Sequence, residues 1–187
     1  MGEEDQIDWT IQLHNEVFDK VWYEGKYSLE NGYHSVTKAV YVQFKSGLVL
    51  KFSTEKKERK TAGHHLVIEE KQLWQKEKRY VKDLKEVTAL GEYGPFIKSP
   101  VISCDMEVQN VGENIIAPFT RMMNRMYSQY LMLNIQLMVD DEYALCIAAS
   151  KVINGQQMIN FYNQLTVFFQ KSVYTDYKQK TSEYFMW

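Results

Sequence analysis

The dipeptide Asn31-Gly32 constrains this chain more than any other feature. Asn followed by Gly tolerates the positive φ angles of a tight type I′ turn, the connection that joins two antiparallel strands with matching twist. Lys26 to Glu30 precede it and Tyr33 onward follow, so a hairpin is expected. Val40, Val42 and Phe44 then alternate with polar or amphipathic neighbours, Ser46-Gly47 supplies a second turn, and Leu48, Leu50 and Phe52 alternate again. The pattern predicts a three-stranded N-terminal antiparallel meander with one face on a core and the other in water.

The rest of the chain reads as helices and further strands. Residues 6 to 24 fit a helix, because Ile7, Ile11, Leu13, Val17, Phe18, Val21 and Trp22 gather on one side of a wheel; alternation of Ile7, Trp9, Ile11 and Leu13 also fits a strand. Ser53 to His65 is charged and almost without apolar residues, which predicts an exposed loop. Glu69 to Leu90 returns to helical spacing through Leu73, Trp74, Tyr80, Val81, Leu84 and Val87. Gly91, Gly94, Pro95 and Pro100 form a connector, and Ile102, Cys104, Met106 and Val108 alternate as a strand. Asn114 can cap a helix running through Ile115 to Tyr127. Leu131 to Val139 alternate as a strand, Asp140-Asp141 turns, and Glu142 to Lys151 return; one helix over 115–139 is the alternative. Asn154-Gly155 opens a last helix containing Met158, Ile159, Tyr162, Leu165, Phe168 and Phe169, ahead of a polar tail over 176–187.

The expected architecture is therefore α+β: a mainly antiparallel sheet, made of the meander and a later hairpin, packed with about four helices. The 187 residues are read as a single domain, with a possible subdivision near 91–100. Twenty-six aromatic residues need a core in which to pack, which disfavours global disorder.

Several function classes find no support in the motifs. The phosphate-cradling loops GxGxxG and GxxxxGK[ST] are absent, as are the GxSxG elbow and HExxH. His64-His65 lacks a third His or Cys nearby to complete a metal site, and Asp140-Asp141-Glu142 reads as a soluble turn. No catalytic residue, cofactor or metal is expected, although an enzyme whose site assembles from distant positions stays open. No stretch of 18 uncharged apolar residues is present, and the acidic start Met1-Gly2-Glu3-Glu4-Asp5 is unlike a secretory signal. Cys104 and Cys146 lie 42 residues apart inside apolar stretches, as buried reduced thiols do. No membrane association and an intracellular, cytoplasmic location are expected, with the nucleus left open.

Two features could bind something. Between Lys51 and Lys85 there are eleven Lys or Arg against six Asp or Glu, in a chain whose net charge is -2. If 69–90 is helical, Lys71, Lys78, Lys82 and Lys85 form a stripe continuous with Lys56, Lys57, Arg59 and Lys60, able to follow a phosphate backbone or an acidic partner. Glu70, Glu77, Asp83 and Glu86 interrupt it, and Arg is represented only by Arg59 and Arg79. The second feature is soft and apolar: Met122, Met123 and Met126, with Tyr184, Phe185 and Trp187 at the C-terminus, could seat a partner protein or seal a homo-oligomer. The function expected first is a non-catalytic interaction protein, an adaptor, chaperone or inhibitor acting through sheet edge and apolar surface. Nucleic-acid binding by residues 51–85 is the alternative.

Overall fold

The computed structural model of the chain describes residues 9–30, 32–56, 64–88, 93, 96–110, 130–153, 156–159 and 163–182. After a short helix α1 (Trp9–Gln12), the chain enters β1 (Phe18–Glu24), β2 (Tyr27–Glu30), β3 (Tyr33–Val36) and β4 (Ala39–Phe44). These four strands are one long hairpin. Glu24 lies opposite Ala39, Tyr27 opposite Val36 and Glu30 opposite Tyr33, so the register is continuous from Lys20 to the tip, beyond a bulge between Phe18 and Lys20. Gly32 takes φ +85°, as the tight turn requires.

The hairpin bends where β1 passes into β2 and β3 into β4. Gly25 sits at the bend with φ +86°, and a Cβ there would stand 2.7 Å from Thr37 Oγ1 and 3.0 Å from Lys38 Cγ. Thr37 Oγ1 is committed to the bend, because it accepts the Lys26 backbone N–H at 3.0 Å. Gly25→Ala is therefore expected to cost about 2–3 kcal/mol, from left-handed strain and the displaced threonine together. Gly47 makes the comparison clean: its φ is +97° but nothing lies within 4 Å, so Gly47→Ala should show the strain alone. Urea denaturation of the two variants reads the difference, and equal losses would remove the steric role of the bend.

The bend sends the two halves of the hairpin into different sheets. β1 and β4 join β5 (Val49–Lys56), β6 (His64–Glu70) and β7 (Leu84–Glu86) in a five-stranded sheet ordered β6-β5-β4-β1-β7. β2 and β3 join β8 (Ser103–Asn110), β9 (Tyr130–Met138), β10 (Tyr143–Ala148) and β13 (Leu165–Gln170) in a six-stranded sheet ordered β2-β3-β13-β10-β9-β8. A small separate hairpin of β11 (Ser150–Ile153) and β12 (Gln156–Ile159) lies between β10 and β13 in sequence. Every pairing is antiparallel.

One continuous buried cluster takes side chains from both large sheets. Phe18, Val21, Tyr23, Val40, Val42, Phe44, Leu50 and Phe52 come from the first sheet, and Val36, Ile135, Leu137, Leu145, Ile147, Leu165, Val167 and Phe169 from the second. Sheets corner-linked by bent strands and packed on a shared interior form a sandwich. Each sheet is also covered on its outer side. Trp22, Tyr41 and Val49 of the first lie under Trp74 of the short helix α2 (Trp74–Glu77). Tyr33, Met138, Ala144, Cys146 and Phe168 of the second lie under Tyr174 and Tyr177 of the C-terminal helix α3 (Lys171–Ser182).

The α+β expectation is thus corrected: the described residues are mostly antiparallel sheet, with helix confined to short segments. The helix expected over 6–24 is α1 followed by β1. Because Val21 and Tyr23 point to the interior and Trp22 to the α2 side, both faces of β1 are covered and its apolar run loses the period of two. The helix expected after Asn154-Gly155 is β12 and β13, and all of Leu165 to Phe169 is buried for the same reason. The helix expected over 69–90 breaks into the end of β6, α2, a 3₁₀ turn at Lys78–Tyr80 and β7. Leu73 is 57% exposed and Tyr80 80%, so the apolar stripe that suggested a continuous helix is not buried as one. Asp83 at φ +58° stops any helical run before β7 pairs with β1. The helix expected from Asn114 to Tyr127 lies outside the described residues. The polar tail expected from 176 is in part α3, which starts directly after β13.

Candidate functional site

The inner face of the bent hairpin carries a buried polar cluster. His34, 4% exposed, is hydrogen-bonded through Nδ1 to Tyr23 Oη at 2.8 Å and through Nε2 to Tyr93 Oη at 3.0 Å. Burial lowers the His34 pKa from the ordinary 6.5 to about 4, so the ring is neutral near pH 7. A neutral imidazole has one donor and one acceptor; one tyrosine therefore donates to it and the other accepts from it. Burial also raises the Tyr23 pKa well above its ordinary value, which keeps that hydroxyl protonated. The arrangement is a saturated polar clasp that fixes β3 against β1 and the segment around Tyr93. Its sequence signal was absent: His34 reads as a lone histidine near a turn. Within 91–100, expected as a connector, Tyr93 reaches His34 and Phe96 is buried with its ring 4.1 Å from that of Phe18.

The outer rim of the same hairpin is an open sheet edge. β1 and β2 form one edge of the hairpin, and β7 pairs with its first part, Trp22 to Glu24. The second part, β2, is the last strand of its sheet. Thr37 N–H bonds Lys26 C=O at 3.0 Å, which makes Lys26 and Thr37 a hydrogen-bonded pair. In an antiparallel ladder such pairs alternate, so Tyr27 and Leu29 turn their N–H and C=O groups away from β3. Among the described residues no strand lies beyond them. Leu29 is 60% exposed on this rim. Its flanks are charged: Lys26 and Glu30 are exposed, and neither makes an ion pair among the described residues. Lys85 of β7 holds its ammonium 5.2 Å from the Tyr27 ring centroid, at the point where the open stretch begins.

The basic segment is distributed differently from the expected stripe. Lys56 ends β5, Lys71 follows β6, Lys78 opens the 3₁₀ turn, Lys82 precedes Asp83, and Lys85 is on β7. The stripe needed a continuous helix, and that helix does not form. Lys71 is tied to Glu69 at 2.9 Å, and Lys51 reaches the same carboxylate at 3.5 Å. These contacts hold the Glu69 carboxyl below the usual range, Lys71 contributing most. Lys57, Arg59 and Lys60 lie outside the described residues, as do Met122, Met123, Met126, Tyr184, Phe185 and Trp187.

Among the described residues, no three His, Cys, Asp or Glu side chains are grouped so as to hold a metal ion. Asp140 is used locally: its Oδ1 accepts the backbone N–H groups of Glu142 at 2.8 Å and Tyr143 at 2.6 Å, which closes the β9–β10 turn. No helix among them is long and apolar enough to cross a membrane. Of the known protein families, curated proteins and solved structures compared with this chain, none matches it.

Proposed function

We propose that this chain is a non-catalytic interaction protein, an adaptor, chaperone or inhibitor, that takes an extended segment of another chain along β2. The observation that carries the reading is the outward-facing backbone of Tyr27 and Leu29 on a strand with no neighbour among the described residues. Edges of this kind are usually blunted by bulges or covering loops, because they recruit strands. Main-chain bonds would supply affinity, and Tyr27 and Leu29 would select apolar side chains at alternate positions of the incoming segment.

A photo-crosslinking residue at Ser28 tests this in the cell. Adducts are expected from that position, mapped to an extended segment of the captured chain, and not from the same residue placed at exposed Lys76. Leu29→Pro should abolish them, since it removes an N–H that points away from β3 and leaves the β3 ladder intact. Adducts that persist in Leu29→Pro with a native circular dichroism spectrum would overturn β2 as the contact.

A further inference from the structure

The open edge has a symmetry that a general peptide site does not need. Its residues read Lys26-Tyr27-Ser28-Leu29-Glu30, with opposite charges equidistant from Ser28 and apolar residues on either side of it. Placed antiparallel to a second copy about a two-fold axis through Ser28, every position meets its complement. Tyr27 faces Leu29 of the copy and Leu29 faces Tyr27, which are the hydrogen-bonded pairs the outward backbone groups require. Lys26 faces Glu30 of the copy and Glu30 faces Lys26, and both lie on the polar side of the strand with Ser28. The Glu30 carboxylate accepts Ser28 Oγ at 3.0 Å and Tyr33 Oη at 3.0 Å and has no cation beside it among the described residues.

The length of the open stretch fits as well. It begins at the bend, where Gly25 N–H is taken by Asp83 C=O at 3.3 Å and β7 covers β1, and the strand of the copy that would lie on it is no longer than β2 itself.

We propose that the occupant of the β2 edge is a second copy of this chain, paired β2 to antiparallel β2 about a two-fold axis at Ser28. This rests on β2 being the contact edge and adds that the contact is isologous. Such pairing joins two six-stranded sheets into one. Four main-chain bonds, two Tyr27–Leu29 contacts and two Lys26–Glu30 pairs make a small interface, so the dimer forms in a concentration-dependent way.

Sedimentation velocity over a concentration series of the full chain tests it. The average mass should rise towards two chains. Lys26→Glu and Glu30→Lys, each of which places like charges opposite one another twice, should weaken self-association by about ten- to a hundredfold, and the Lys26→Glu/Glu30→Lys double variant should restore it. A reading that needs no variant comes from amide exchange: Tyr27 and Leu29 N–H should become slower as concentration rises. A wild-type chain that stays monomeric throughout the series overturns the proposal, and so does a dimer indifferent to the two single variants. A folded double variant that fails to restore association while both singles abolish it does the same. If the chain is monomeric yet Ser28 still captures a different protein in a Leu29-dependent way, self-pairing fails and the β2 contact stands; if neither occurs, both fail.

Discussion

Phe18→Ala is expected to remove about 3–5 kcal/mol of stability, the loss that follows truncation of a fully buried aromatic ring. Phe18 is fully buried, its ring lies 4.1 Å from that of Phe96 and 5.2 Å from that of Phe44, and its backbone is bonded to the 98–99 segment on both sides. Shortening it leaves a cavity whose walls are other aromatic rings and two backbone segments, and such walls collapse poorly. Against a total of about 5–15 kcal/mol for an ordinary domain, the variant would sit near the threshold of folding. Urea denaturation should show a lower midpoint with an unchanged slope. Exposed Leu73 is the control, because Leu73→Ala should change stability by about 0.5 kcal/mol or less. A Phe18→Ala loss as small as that would mean the interior does not close around Phe18.

The second large effect is acid sensitivity centred on His34. In the unfolded chain its imidazole takes up a proton near the ordinary value of about 6.5, whereas burial in the folded protein delays this to about 4. The unfolded state therefore binds more protons between these limits, and stability falls as the pH drops through them. The contribution is complete above pH 6.5, and about 3 kcal/mol is lost by pH 4. His34→Gln keeps one donor and one acceptor for Tyr23 and Tyr93 but does not titrate. The difference between wild type and His34→Gln should therefore vary with pH in this window and level off outside it, which also cancels the carboxylates that titrate in both proteins. Parallel stability curves for the two would show that His34 is not held neutral by the fold.

The legible parts of this fold were those whose physics is local. Gly32 and Gly47 take the positive φ that tight turns need, and the strands beside each turn pair as expected. The middle strand of the expected three-stranded meander is instead β3 and β4, bent into two sheets, and the face expected in water is covered. Leu131 to Val139 alternate strictly, and this is β9. What misled the reading was burial on two sides. β1 and β13 are covered by the sandwich interior and also by α2 or α3, so their apolar residues form runs that match a helical wheel by coincidence. α3 was hidden for the opposite reason. It docks through Tyr174 and Tyr177 with Val173 beside them and is otherwise polar, too sparse a stripe to stand out from a tail. The candidate edge was half readable: Lys26 and Glu30 flank Ser28 in the sequence, but that β7 stops short of β2 depends on contacts some sixty residues apart. The lysine stripe shows the converse hazard, since its geometry was borrowed from a helix that the chain does not build.

The bent hairpin also bears on the order in which this protein can assemble. Its strands are near neighbours in sequence, joined by a two-residue turn, and a hairpin closes in about 1–10 μs without waiting for distant segments. Once closed, it presents β4 to β5 after a short turn, so the first sheet can grow from nearby chain. The second sheet must wait for β13 to return to β3, across a separation of well over a hundred residues, and the entropy of closing so long a loop makes that step the slower one. Because one hairpin serves both sheets, the late strand finds its register already set.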